Sequence, residues 1–287
     1  MQERRSASAV FEARPTVEGA GVHLRRVFGF GNERVFDPFL MLDDFRSDDP
    51  SEFEAGFPWH PHRGIETITY VLRGDVEHGD SLGNSGVIGS GDVQWMTAGS
   101  GIIHQEMPKG DSGHMWGFQL WANLPAHEKR RDPHYRGLTG CEIPIVATAE
   151  GAVVRVIAGE VDGVTGPVEG VVIDPEYLDV SVPPGSAFEH AVEPGHTAFA
   201  YCIDGEAEFA PGTRLRNYQA VLYSDGDIVR IETVGRPVRF LFLSGRPLRE
   251  PIAWRGPIVM NTEEELRAAF REYRDGTFVK RGANIAS

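Results

Sequence analysis

An internal repeat constrains this chain more than any other feature. TITYVLRGDVEH (67–78) recurs as AFAYCIDGEAEF (198–209), setting Tyr70 against Tyr201 and Gly74 against Gly205. Each copy reads as an apolar strand, a glycine turn and a second strand. GDVQWMT (91–97) is matched in the same way by GDIVRIE (226–232), at an offset of 135 rather than 131. A chain of 287 residues built from two such copies is expected to form two units of like architecture. The polar, Pro- and Gly-bearing segment ANLPAHEKRRDPHYRGLTG (122–140) breaks the strand rhythm and is the expected connection, giving domains at 1–130 and 131–287.

The fold class follows from punctuation. Thirty-four glycines and 19 prolines separate short alternating runs, the pattern of an all-β chain that reverses often. Expected strands are 22–28, 66–74, 92–98, 114–124, 152–159, 178–183, 197–210 and 237–245. One short C-terminal helix is expected over 262–276, with Thr262 as N-cap, Glu265 at the capping-box position and Gly276 past the end. Leu266, Ala269, Phe270 and Tyr273 form its apolar stripe, which predicts packing on a sheet.

Chemistry concentrates in two stretches of the first copy, FPWHPHRGIETITYVLRGDVEHGD (57–80) and GSGDVQWMTAGSGIIHQEMP (89–108). On extended backbone His60, His62 and Glu66 share one parity, as do His104 and Glu106. Five candidate ligands then converge from two strands, a mixed imidazole and carboxylate set that suits divalent iron and also copper, nickel, manganese or zinc. Projecting the repeat offsets puts Ala191, Glu193 and Thr197 where His60, His62 and Glu66 stand, and Arg239 and Leu241 where His104 and Glu106 stand. The second copy is therefore expected to keep the strands and lose the site.

Other candidates have plainer readings. His78, His114, His127 and His134 lack company of this kind, and His190, Glu193 and His196 form only a loose cluster. Asp43 and Asp44 follow an apolar run and are expected to cap a turn. GNSGVIGSGD (83–92) has no lysine and opens no helix, so it reads as a hairpin connection and not a phosphate loop. Phe53, Phe57, Trp59, Trp95, Trp116 and Phe118 are expected mostly in the core, with those beside His60 available to line an apolar mouth. The balance of 28 Lys and Arg against 42 Asp and Glu, a net charge of −14, argues against direct binding to nucleic acid or acidic membranes. Cys141 and Cys202 are too few for a disulfide scaffold, and no apolar segment has signal or membrane-span length, so a cytoplasmic protein is expected.

The spacing His-x-His-x3-Glu, followed by a later histidine on a glycine-bounded strand, resembles the two motifs of the cupin superfamily. The resemblance narrows to the pirin family. It is carried by FDPFLMLDDFRSDDPSEFEAGFPWHPHRGIETITYVLRGDVEH, GDVQWMTAGSGIIHQEMP, GFQLWANLP and REPIAWRGPIVMNTEEEL, which together run to residue 266. It implies a bicupin of two tandem jelly-roll-like β-barrels, with one metal, Fe(II) first among those above, in the N-terminal cupin only. It also implies ligands at His60, His62, His104 and Glu106, whereas the general cupin pattern would take Glu66 as the carboxylate. On the pirin pattern Glu66 is left a supporting role. The implied activity is a quercetin 2,3-dioxygenase reaction, in which a flavonol and O2 are the substrates; Glu106 is the expected base once it loosens from the metal. The alternative it implies is a metal- or redox-dependent regulator that binds a transcription factor or metabolic enzyme.

Overall fold

The computed structural model describes residues 2–280 and is built almost wholly of antiparallel strands. The expected strands appear within a residue or two of their places, Val22–Phe28 and Thr197–Ala210 at the expected bounds. The helix, Glu263–Arg274, has Thr262 as N-cap with both halves of the capping box formed, and Gly276 follows at φ 71°. The chain forms an all-β protein with one short C-terminal helix.

Two compact units result, and they do not follow the sequential boundary at 130/131. One comprises the chain up to Arg14, Val35–Pro38 and Cys141–Leu248; the other comprises Pro15–Arg34, Phe39–Gly140 and the chain from Arg249 onward. The reason is strand and helix pairing. Ala7–Glu12 hydrogen-bonds along Gln219–Tyr223, so the N-terminal strand completes a sheet of the later copy. The C-terminal helix buries Leu266 and Ala269 with Ile258, Met260 and Phe278, on a two-stranded ribbon (Ala253–Arg255 and Ile258–Met260) of the earlier one. The segment expected to be a linker carries the strand His134–Leu138, which pairs with Val93–Thr97 and moves the division to Gly140.

In the histidine-bearing unit a seven-stranded sheet runs His134–Leu138, Val93–Thr97, Ile65–Arg73, Met115–Asn123, Phe39–Ser47, Val22–Phe28, Arg14–Glu18. A four-stranded sheet runs Phe57–His62, Ile102–Lys109, Asp75–Asp80, Ser85–Ile88. The other unit repeats the central order with Gln219–Tyr223, Thr197–Ala210, Val238–Gly245, Glu176–Val182 and Val153–Ala158. Its strand Ile228–Glu232 pairs with Ala187–Ala191 as Ile102–Lys109 pairs with Phe57–His62.

This topology upholds the first repeat pairing and corrects the second. The counterpart of Val93–Thr97 is Gln219–Tyr223, and Ile228–Glu232 answers instead to the His104 strand. Arg239 and Leu241 lie in the counterpart of Met115–Asn123 and so do not stand opposite His104 and Glu106. What faces inward there is Phe188, Val229 and Ile231, each fully buried in a continuous apolar core, together with His190, which stacks on Phe188 and bonds Glu176. Asp43 and Asp44 are also not turn caps. They sit buried in the middle of Phe39–Ser47, where Arg26 and Arg46 neutralise them.

Candidate metal centre

Two adjacent strands bring the histidines together. Antiparallel pairing of Phe57–His62 with Ile102–Lys109 sets His104 directly opposite His60 and Ile102 opposite His62. Residues 102, 104, 106 and 108 are buried and alternate with half-buried ones, so His104 and Glu106 point to the same interior as the two strand-sharing histidines. One ring nitrogen from each of His60, His62 and His104 lies within 4.8 Å of the other two.

Hydrogen bonding fixes how these rings present themselves. His60 Nδ1 donates to the carbonyl of Pro58 at 2.8 Å, and His62 Nδ1 donates to the carbonyl of Pro257 at 3.1 Å. A carbonyl only accepts, so both rings carry their proton on Nδ1 and turn a bare Nε2 inward. Those two Nε2 atoms are 3.1 Å apart. Two lone pairs facing each other repel unless an electrophile sits between them, and two nitrogens bound to one metal at ~2.1 Å would stand roughly 3.0–3.4 Å apart. His104 is 1% exposed, and both of its ring nitrogens lack a hydrogen-bond partner. An unpaired buried donor or acceptor is costly. A metal ion would relieve both the facing lone pairs and the orphaned imidazole, so the donor set fits one.

Burial also keeps the rings neutral. It lowers the pKa of His60 against a smaller opposing effect from Pro58, and pushes His62 and His104 well below 6.5, with neighbouring histidines adding to the fall. Neutral imidazole is the form that ligates. Glu106 stands beside this set, Oε2 3.9 Å from His104 Nε2, while Oε1 accepts from the Thr69 hydroxyl at 2.9 Å. Burial pushes its carboxyl up to about 7, against the lowering effect of Thr69.

Glu66 is turned away. Gly64, at φ 77°, breaks the stretch into two strands, and a Cβ there would lie 2.0 Å from the Val259 carbonyl oxygen, so only glycine makes this turn. The parity shared by His60, His62 and Glu66 in sequence is lost across it. Glu66 lies three residues from inward-facing Thr69, hence on the opposite face of its strand, where it accepts from Trp95 at 3.0 Å and Thr97 at 2.6 Å. Its role is to knit the outer side of the sheet.

The remaining histidines stay apart. His78 stands opposite Glu106 in register, but its ring stacks on Tyr135 with centroids 5.8 Å apart. His114 meets Asp48, His127 lies near Glu128, and His134 belongs to the edge strand. In the other unit His190 bonds Glu176 at 2.7 Å, and among the described residues no second group of three donors gathers.

Beyond the histidines opens a cavity of about 860 Å³. Phe30, Met41, Phe57, Trp121 and Trp254 supply apolar walls, while Thr69, Gln119, Glu106 and the Arg26–Asp43 pair supply polar ones. Trp121 packs edge-on against His62 at 5.0 Å and tilted against Trp254 at 6.1 Å. Sequence reasoning placed Phe57 at such a mouth but missed Thr69, Gln119 and the C-terminal contributors. Polar residues inside otherwise apolar strands were the available signal for the first two. A backbone carbonyl at Pro257 leaves none.

Comparison with known proteins agrees with this architecture. The chain matches the family model "Pirin" over residues 21–122 and "Pirin C-terminal cupin domain" over residues 177–279. It is 44% identical over 270 residues to a pirin-like protein of Caulobacter vibrioides, covering 94% of this chain and 97% of that one. Pirin-1 of Arabidopsis thaliana is 39% identical over 263 residues, covering 90% and 89%. The crystal structure of a quercetin 2,3-dioxygenase from Acinetobacter baumannii superposes with a TM-score of 0.87 at 31% identity, covering 96% and 98%. The chain belongs to the pirin family.

Proposed function

We propose that this protein is a metal-dependent dioxygenase that opens the heterocyclic ring of quercetin-like flavonols with O2. The observation that carries this reading is the convergence of three neutral imidazoles at one end of an aromatic-walled cavity of about 860 Å³. That volume falls in the range of small-molecule sites, and the similarity to the Acinetobacter quercetin 2,3-dioxygenase supports the substrate class. His60, His62, His104 and Glu106 would hold one divalent transition metal, Fe(II) first, with Cu, Ni, Mn or Zn also suited to the donors. Only the unit containing Phe39–Gly140 would carry it.

The bound ion would supply Lewis acidity toward a deprotonated hydroxyl of the substrate and redox access to O2. The chain's residues account for the rest. Phe57, Trp121 and Trp254 receive the flat aromatic body and exclude water. Glu106 would take the hydroxyl proton where one of its oxygens is free of the ion, standing as it does beside the imidazoles. Pro58 and Pro257 hold the imidazole tautomers that leave Nε2 free. The test is quercetin turnover by protein reconstituted with Fe(II). Loss in both His62→Ala and Glu106→Ala is expected, and unchanged turnover in either would remove the proposal.

A further inference from the structure

Five strands of the seven-stranded sheet place one residue each in a row across its inner face. In register, Arg26 pairs with Asp43, Asp43 with Gln119, Gln119 with Thr69, and Thr69 with Gln94. All five are polar. The counterpart row in the other unit runs Val156, Leu178, Phe242, Ala200, Val221, by the same succession of register pairs, and every member belongs to its apolar core. Ala200 is also the residue that the repeat offset of 131 sets against Thr69. The fold therefore does not require a polar row. Burying one is costly unless each group is satisfied, which points to a task in the histidine-bearing unit alone.

The end of the row shows the task. Thr69, 3% exposed, has its Oγ1 2.9 Å from Glu106 Oε1 and 2.7 Å from Gln119 Oε1. A hydroxyl has one hydrogen, and it cannot serve two acceptors. Oxygen and nitrogen of a glutamine amide exchange places on a half-turn of the group. With Nε2 of Gln119 toward Thr69, the line becomes directional. Gln119 donates to Thr69 Oγ1, and Thr69 donates to Glu106 Oε1. Oε1 is then occupied, and Oε2 is the oxygen left turned toward His104.

We infer that Thr69, backed by Gln119, is a positioning residue that selects which carboxylate oxygen Glu106 presents to the metal. This rests on the metal reading above. The Thr69 hydroxyl bonds Glu106 and Gln119; it acts through Glu106, as outer hydrogen-bond partners of metal ligands do elsewhere. The cavity reaches Thr69 and Gln119 as well, so the line is held by their mutual bonding and not by enclosure in apolar side chains.

Co(II) serves as the probe, because its visible absorption reports the ligand set directly. Wild type, Thr69→Val, Thr69→Ser, Gln119→Leu and His62→Ala are titrated with Co(II), and affinity, spectrum and thermal midpoint are recorded. Thr69→Val keeps the shape and removes the hydroxyl, so a roughly tenfold loss of Co(II) affinity is expected together with an altered spectrum. Thr69→Ser restores both, and Gln119→Leu gives a smaller loss in the same direction. A purely structural Thr69 would lower the thermal midpoint and leave the Co(II) spectrum as in wild type, which overturns the inference. Should Thr69→Val fail to fold, Gln119→Leu decides alone: wild-type affinity and spectrum there also overturn it. Wild-type protein that binds no Co(II), or binds it equally in His62→Ala, brings down the metal reading and this inference together. Intact binding lost in His62→Ala but unchanged in Thr69→Val sinks this inference only.

Discussion

The two units share a strand order and differ in what they put inside it. Where one has His60, His62, His104 and Glu106 on its smaller sheet, the other has Phe188, Val229 and Ile231 in one packed core with Phe240 and Phe242. Where one faces them with Thr69 and Gln119, the other places Ala200 and Phe242. The first interior leaves a cavity and an imidazole with no partner; the second is filled. The same scaffold thus holds once an open, histidine-bearing interior and once a filled apolar one, and the decision lies in a few inward positions on each strand.

The comparison can be broken most severely in the filled unit. Phe242→Ala removes a fully buried ring and should cost ~3–5 kcal/mol of unfolding free energy, read by urea denaturation, with Co(II) affinity unchanged. If Co(II) binding falls as well, the division of labour is wrong.

The next effect belongs to the histidines. Their folded-state pKa values lie below the ordinary 6.5, so between that value and their own they bind fewer protons folded than unfolded. The contribution of these histidines to the stability of the metal-free protein is therefore fully present above the unfolded value and is lost as the pH falls below about 6.5, while Glu106, raised to about 7, acts in the opposite sense over the same range. Denaturation midpoints at pH 7 and 5.5 measure this. His62→Ala should reduce the acid sensitivity by its share; an unchanged pH profile in that variant would show that the buried rings are not its source.

Removing His62 should also weaken metal binding at least about 100-fold, equivalent to ~2.7 kcal/mol. Elemental analysis of protein purified without added metal, wild type beside His62→Ala and Glu66→Gln, checks this. Glu66→Gln should retain full occupancy, since Glu66 faces the other side of its strand.

The smallest effect concerns the clamp beneath the site. Lys129 is buried and donates to the carbonyls of Gly64 and Val259 and to Asn123 Oδ1, at 2.8, 3.1 and 2.7 Å. Lys129→Met would take a donor from three acceptors, of which the Gly64 carbonyl keeps the Leu124 amide at 3.4 Å, and should lower stability by about 2 kcal/mol, read from urea midpoints. No loss would mean that water replaces the ammonium there.

Much of this was legible in the chain. Alternation between glycines gave the strands, because side chains of a strand must divide between two faces. The capping residues Thr262 and Glu265 gave the helix, since they satisfy its first amides locally. The His-x-His pair and His104 gave the three imidazoles, and the repeat gave the emptied second copy. Each of these is a short-range property, decided within one element.

What tertiary structure alone decided lies across longer separations. Parity on a strand holds only while the strand lasts, so the Gly64 turn sends Glu66 to the outer face although its spacing from His62 is that of a ligand. Which unit owns a segment depends on which sheet edge or apolar ribbon it pairs with, and this carried Ala7–Glu12 to the later copy and the C-terminal helix to the earlier one. The tautomer of His62 is set by a carbonyl 195 positions away, and the orientation of Glu106 by a threonine 37 positions away, backed by a glutamine on the adjacent strand. Backbone carbonyls are the same in every residue and register pairs leave little mark on either partner, so only folding reveals which of them meet.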